Sequence, residues 1–169
     1  MSFKNVEAQN IWAKYKADTS PKARALNAIV EHIGYGGMIH QFKNYVLRQD
    51  TPRIDKVHKA MDRISAAITK YHSLSIEAKE EKALSQISGV VEAYRAGLEK
   101  ARTLAASGST PEEIDKQVKV NDGPELKGVA NLVNVVGREM VSDAGILSAG
   151  LSATSKITTM VLLVSIGSK

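Results

Sequence analysis

One run of residues combines side-chain types and spacing that could hold a ligand. Leu26, Ile29, Ile33, Gly36, His40, Lys43 and Leu47 step alternately by three and four, the spacing of one helix face. The outer positions are apolar; the middle three are glycine, histidine and lysine. Asn44 lies one turn beyond His40 and Arg48 one turn beyond Asn44, so both flank that face, and Tyr35 and Gly37 adjoin it. A mid-helix glycine costs about 1 kcal/mol relative to alanine. A lysine buried without a partner costs several kcal/mol, against a total stability of about 5–15 kcal/mol. The expectation is therefore a space between helices, opened by glycine and lined by Tyr35, His40, Lys43, Asn44 and Arg48. Donors with net positive charge suit a small anion or a carboxylate. The plainer alternative is structural: Lys43 extends to solvent with only its stem packed, His40 bonds a neighbouring helix, and the glycines let helices approach.

Other chemistry is sparse. The chain of 169 residues has no cysteine, which removes disulfides, thiol nucleophiles, iron–sulfur clusters and cysteine-ligated zinc. Gly34-Tyr35-Gly36-Gly37 lacks the spacing of a phosphate-binding loop, and no GxSxG or repeated ExxH pair occurs. No catalytic residue is assigned and no enzyme is expected. His40 and His58 could hold a metal or haem from facing helices. Two histidines without further ligands are ordinary in a helical bundle, so no metal and no cofactor are assigned. Lys+Arg total 23 and Asp+Glu 18, a net charge of +5 without a dense cluster, and aromatics are 5%. That is not the charged face with stacking rings of a nucleic-acid binder, and no nucleic-acid partner is expected.

The elements that must position these residues are helical. The four prolines, at 21, 52, 111 and 124, each follow a capping residue or turn and suit a first helical turn. Glu113, three residues after Thr110, completes a capping box. Ile54, Val57, Met61, Ile64, Ile68 and Tyr71 form one seam; Leu84, Ile87, Val91, Tyr94, Leu98 and Ala101 form a second. Leu126, Val129, Val133, Val136, Met140 and Leu147 begin a third and then drift. The mixed charges Glu77–Lys82 read as a solvated first turn, and Asp122 as the cap of the last helix. No stretch alternates with period two. The expected fold is all-α: an elongated up-down-up-down four-helix bundle, with a first helix from about Val6 that breaks or bends near Ser20-Pro21 and continues to about Gln49, others at about 52–73, 76–106 and from 124 onward, and a short extra helix at about 111–118 before the last. The bundle is expected over 1–156. Residues 157–169 hold the uncharged run Ile157–Gly167, too short to span a bilayer but suited to the beginning of a transmembrane helix.

Two stretches carry a family resemblance. Gly34 to Arg48 (GYGGMIHQFKNYVLR) and Ile114 to Pro124 (IDKQVKVNDGP) resemble segments of extracytoplasmic helical sensor domains of bacterial transmembrane receptors, among them methyl-accepting chemotaxis proteins and membrane-bound diguanylate cyclases. The resemblance covers roughly residues 12–132. It implies a periplasmic four-helix bundle of an inner-membrane protein, a homodimer set between membrane helices, with a role in signal transduction. It also implies that 114–124 is a loop over one end of the bundle. Added to the residue pattern, it favours a small-molecule or anion ligand at Tyr35, His40, Lys43, Asn44 and Arg48. The alternative is a soluble helical protein–protein interaction module without a small ligand.

Overall fold

Proline marks the helix starts as the sequence leads one to expect. The structure, a computed structural model, describes residues 20–142 and residue 145. Helix α1 spans Pro21–Ile33, α2 Met38–Arg48, α3 Pro52–His72, α4 Ala78–Ala106 and α5 Pro111–Gln117. A further helix, α6, covers 123–142. Among the described residues there is no strand, so the chain is all-α. Residues Pro21–Val135 form one compact unit, which ends within α6. The expected helix from about Val6 up to Ser20, the expected boundary at 156/157 and the run Ile157–Gly167 lie outside the described residues.

The core of the Pro21–Val135 unit is laid down by the two regular seams. Helix α3 packs against α1, α2 and α4, and α5 rests on α2 and α4. From α3 it buries Val57, Met61, Ile64, Ile68 and Tyr71, and from α4 Leu84, Ile87, Val91, Tyr94, Leu98 and Ala101. Each large apolar side chain in these rows contributes about 1.5–3 kcal/mol by leaving water. Both seams are those read from the sequence, apart from half-buried Ile54. The short helix also begins as expected: Thr110 N–H donates to Glu113 Oε2 at 2.8 Å, and Glu113 N–H to Thr110 Oγ1 at 3.3 Å.

The expected single helix over 21–49 is corrected to two. Residues 34–37 form a turn between α1 and α2. Gly36 has φ +81°, a left-handed conformation, and a Cβ on Gly37 would overlap the carbonyl of His32. The glycines thus interrupt the helix rather than hollow out its face. The interruption resets the rotation of α2, which buries Met38, Phe42, Tyr45 and Val46. Phe42 meets Tyr94 edge to face at 5.0 Å between ring centroids. Lys43, Leu47 and Arg48, expected on or beside the seam, are exposed.

Two further expectations fail on helix rotation and on a buried acid. In α6 the third seam is displaced in part: Val136 is buried as expected, but Leu126 and Val133 are 64% and 51% exposed, while Glu125, Gly128, Leu132 and Val135 are buried. Gly128 sets this rotation, since a Cβ there would stand 2.7 Å from the Ala83 carbonyl oxygen of α4. Leu147 lies outside the described residues. In the run Glu77–Lys82, Glu80 is not solvated but fully buried. Its Oε2 accepts from the Glu77 N–H at 2.8 Å, its Oε1 accepts from Tyr71 Oη at 2.9 Å, and Lys22 Nζ lies 2.9 Å from Oε1. This single carboxylate joins the starts of α1 and α4 to the end of α3.

Candidate functional site

The residues singled out from the sequence fall on an exposed surface of the 34–37 turn and α2. Tyr35 is 95% exposed, and its ring lies 4.9 Å from that of His40. Asn44 spends its side-chain amide on its own helix, donating from Nδ2 to the His40 carbonyl at 2.9 Å. Lys43 and Arg48 are exposed; His40 and Asn44 are half-buried. The physical premise of a buried lysine within a helical seam is thereby corrected. The turn itself is anchored. Gln41 Nε2 donates to the Gly36 carbonyl at 3.2 Å, and Gln41 Oε1 accepts from Arg53 Nη1 at 3.0 Å. Arg53 Nε lies 3.3 Å from Asp50 Oδ2. The first turn of α3 therefore holds the glycine turn in place.

A concave site exists elsewhere in the same unit. A groove of about 580 Å³ runs between α4 and the irregular segment that follows α5, closed at one side by Pro124. Its floor is a row of small side chains on α4: Ser85, Gly89, Ala93 and Gly97 at four-residue spacing. Its wall is formed by 117–121. That wall is pegged at three points. Val118 is buried, Lys100 Nζ donates to the Gln117 carbonyl at 3.1 Å, and Tyr94 Oη donates to Asp122 Oδ1 at 2.8 Å. Burial and the Asp122 carboxylate both push the Tyr94 hydroxyl well above its ordinary value, so it stays a donor. Asp122, expected to cap the last helix, gives its carboxylate to Tyr94, while its backbone carbonyl accepts from the Leu126 N–H at 3.1 Å.

The groove lining carries Lys100 and Lys119 and no carboxylate. Gln86 also lines it, and its buried Oε1 has no hydrogen-bond partner. Two cations and a floor of small side chains are what an elongated anionic ligand would meet. Sequence reading missed these residues. Their signal was the four-residue repeat of small side chains outside the apolar seam of α4, followed by a proline-bounded segment too polar to be core.

The remaining candidates do not converge. His58 Nε2 lies 3.8 Å from Glu99 Oε1, and His72 Nδ1 lies 3.1 Å from Glu81 Oε2. Among the described residues no three histidine, aspartate or glutamate side chains are grouped to hold a metal ion. None of the described helices is long and apolar enough to cross a membrane. No protein-family model, no curated protein and no solved structure matches the chain.

Proposed function

We propose that this chain is the extracytoplasmic ligand-sensing domain of a bacterial signal-transduction receptor. On this reading it is a non-enzymatic, periplasmic four-helix bundle that works as a homodimer and joins the membrane through flanking helices. Its ligand is a small anion, such as a carboxylate, held in the groove between α4 and the 117–121 wall. The groove supports the reading best. It is concave and lined by two lysines without a carboxylate. Its wall is also one of the two stretches that resemble receptor sensor domains. The other stretch, with Tyr35, His40 and Lys43, forms an exposed surface and ranks as the second seat for the same ligand.

The mechanism follows from position. The wall leads directly into α6 through Pro124. A ligand bridging Lys100 on α4 and Lys119 on the wall favours the arrangement in which both face the groove. The start of α6 moves with the wall, so occupancy biases the seating of the last helix.

A thermal-melt screen of the full chain against small mono- and dicarboxylates tests this. A ligand at a hundredfold over its Kd adds about 2.7 kcal/mol, or about 5–10 °C for a chain of this size. The stabilisation is expected to vanish in the double variant Lys100→Met/Lys119→Met and to survive in Lys43→Met. Loss in Lys43→Met alone moves the site to the α2 surface. No shift with any anion, together with a melting temperature that rises with protein concentration, replaces the sensor by a helical interaction module.

A further inference from the structure

The contact between α4 and the first turns of α6 holds two buried oxygens that lack a donor. Gln86 Oε1 on α4 and Glu125 Oε2 on α6 have no hydrogen-bond partner, and Glu125 is only 3% exposed. The contact is bracketed on both sides. Toward one end, Tyr94 Oη holds Asp122 at 2.8 Å. Toward the other, Gly128 lies so close to Ala83 and Ile87 that a Cβ would stand 2.7 Å from the Ala83 carbonyl and 3.0 Å from Ile87 Cγ1. The two helices thus run antiparallel there. Glu125, between Asp122 and Gly128, faces the part of α4 between Tyr94 and Ile87.

We propose that Glu125 is a proton-operated clasp: in its neutral form it keeps the first turns of α6 seated on α4, and its ionisation releases them. A neutral carboxyl brings one O–H donor to a contact in which Gln86 Oε1 and Glu125 Oε2 both lack one. An ionised carboxylate there is a buried charge without a counter-charge, which a helix end relieves by moving toward water. Among the described residues, the charged and titratable groups acting on it are the Asp122 carboxylate on the preceding segment and, from α4, the Tyr94 hydroxyl, with no cation beside them. Burial first, and Asp122 second, hold the Glu125 carboxyl above its ordinary value. The inference stands apart from the ligand reading, since it needs no occupant in the groove. It adds a consequence there, because Pro124 and Gln86 both border the groove.

The test is made on the full chain by two NMR measurements. The first is a titration of the side-chain carboxyl ¹³C signals, with Glu125 identified by its absence in Glu125→Gln. Its midpoint is expected above the ordinary value of about 4.3. The second is amide exchange, corrected for intrinsic rates, over 126–135 of α6 and over α3. Between the ordinary value and the Glu125 midpoint, the opening constant of α6 is expected to rise up to tenfold per pH unit. That of α3 should stay flat, and the rise should be missing in Glu125→Gln. A midpoint at or below the ordinary value overturns the clasp. So does an α6 opening that follows pH equally in the variant. If Glu125→Gln does not fold, site-selective labelling identifies the Glu125 signal, and the wild-type midpoint with the α6-against-α3 contrast decides alone.

Discussion

Glu80 and Glu125 sit in the same local position and have opposite fates. Each lies in the first turn of a long helix, three residues after the residue that precedes it, and each is almost wholly buried, at 0% and 3% exposure. Glu80 is saturated: a backbone N–H, the Tyr71 hydroxyl and the Lys22 ammonium all point at it. Burial disfavours its charge most, yet those three groups together outweigh burial and bring its carboxyl below the ordinary value. Glu125 has burial without that escort and a second carboxylate beside it, and moves the other way. Burial alone therefore does not decide the charge of an acid. The donors brought by neighbouring helices decide it.

The sign of each contribution to stability follows. Glu80, lowered in the folded state, stabilises fully above the ordinary carboxylate value, and that contribution is lost as pH falls through its folded value. Glu125, raised in the folded state, contributes fully below the ordinary value, and its contribution is lost as pH rises through its folded value. Acid should loosen the α1–α3–α4 junction, and rising pH the α4–α6 contact.

The comparison can be broken by substitution. Glu80→Ala takes the carboxylate from a buried ion pair and should cost about 3–5 kcal/mol in urea unfolding; a cost below 1 kcal/mol would reduce Glu80 to a passive neighbour. Tyr71→Phe removes one hydrogen bond to a charged group and should cost about 1.5–3 kcal/mol, while the midpoint of the Glu80 carboxyl rises toward the ordinary range. Asp122→Asn leaves Glu125 buried but removes the charge beside it. The Glu125 midpoint should fall while staying above the ordinary value, because burial is the larger cause. Lys43→Met should change stability by less than about 0.5 kcal/mol, as at other exposed positions. A gain well beyond that would restore the buried lysine that the sequence suggested.

Reading from sequence succeeded where one rule governed a whole element. In α3 and α4 the three-four step of apolar residues has no interruption, and every residue read into the two seams is buried except half-buried Ile54. Pro52 and the Thr110–Glu113 box were legible because their chemistry is local. The failures share a cause in which a glycine carries the information. At 34–37 the periodic step runs on through Gly36, but the glycines permit a turn that the step cannot register, and the face of α2 rotates past His40 and Lys43. In α6, Gly128 chooses the buried face by what it allows to approach, while Leu126 and Val133 offered the more apolar row. Glu80 and Glu125 were illegible because an acid in a first turn looks alike whether it meets water or a neighbouring helix. The groove needed the fold, since its floor and wall are separated by the whole of α5.

The turn at 34–37 bears on how torque travels. A continuous helix is a shaft: twist applied at one end arrives at the other. Two helices joined by four residues, one of them in a left-handed conformation, are a shaft with a joint in it. Rotation imposed at Pro21 meets this joint after Ile33, and α1 and α2 are coupled beyond it through α3, against which both pack, more than through their own smaller contact. Helix α4, with 29 residues between its caps, has no such joint. The longest unbroken path for twist in this unit is α4, the helix that also floors the groove.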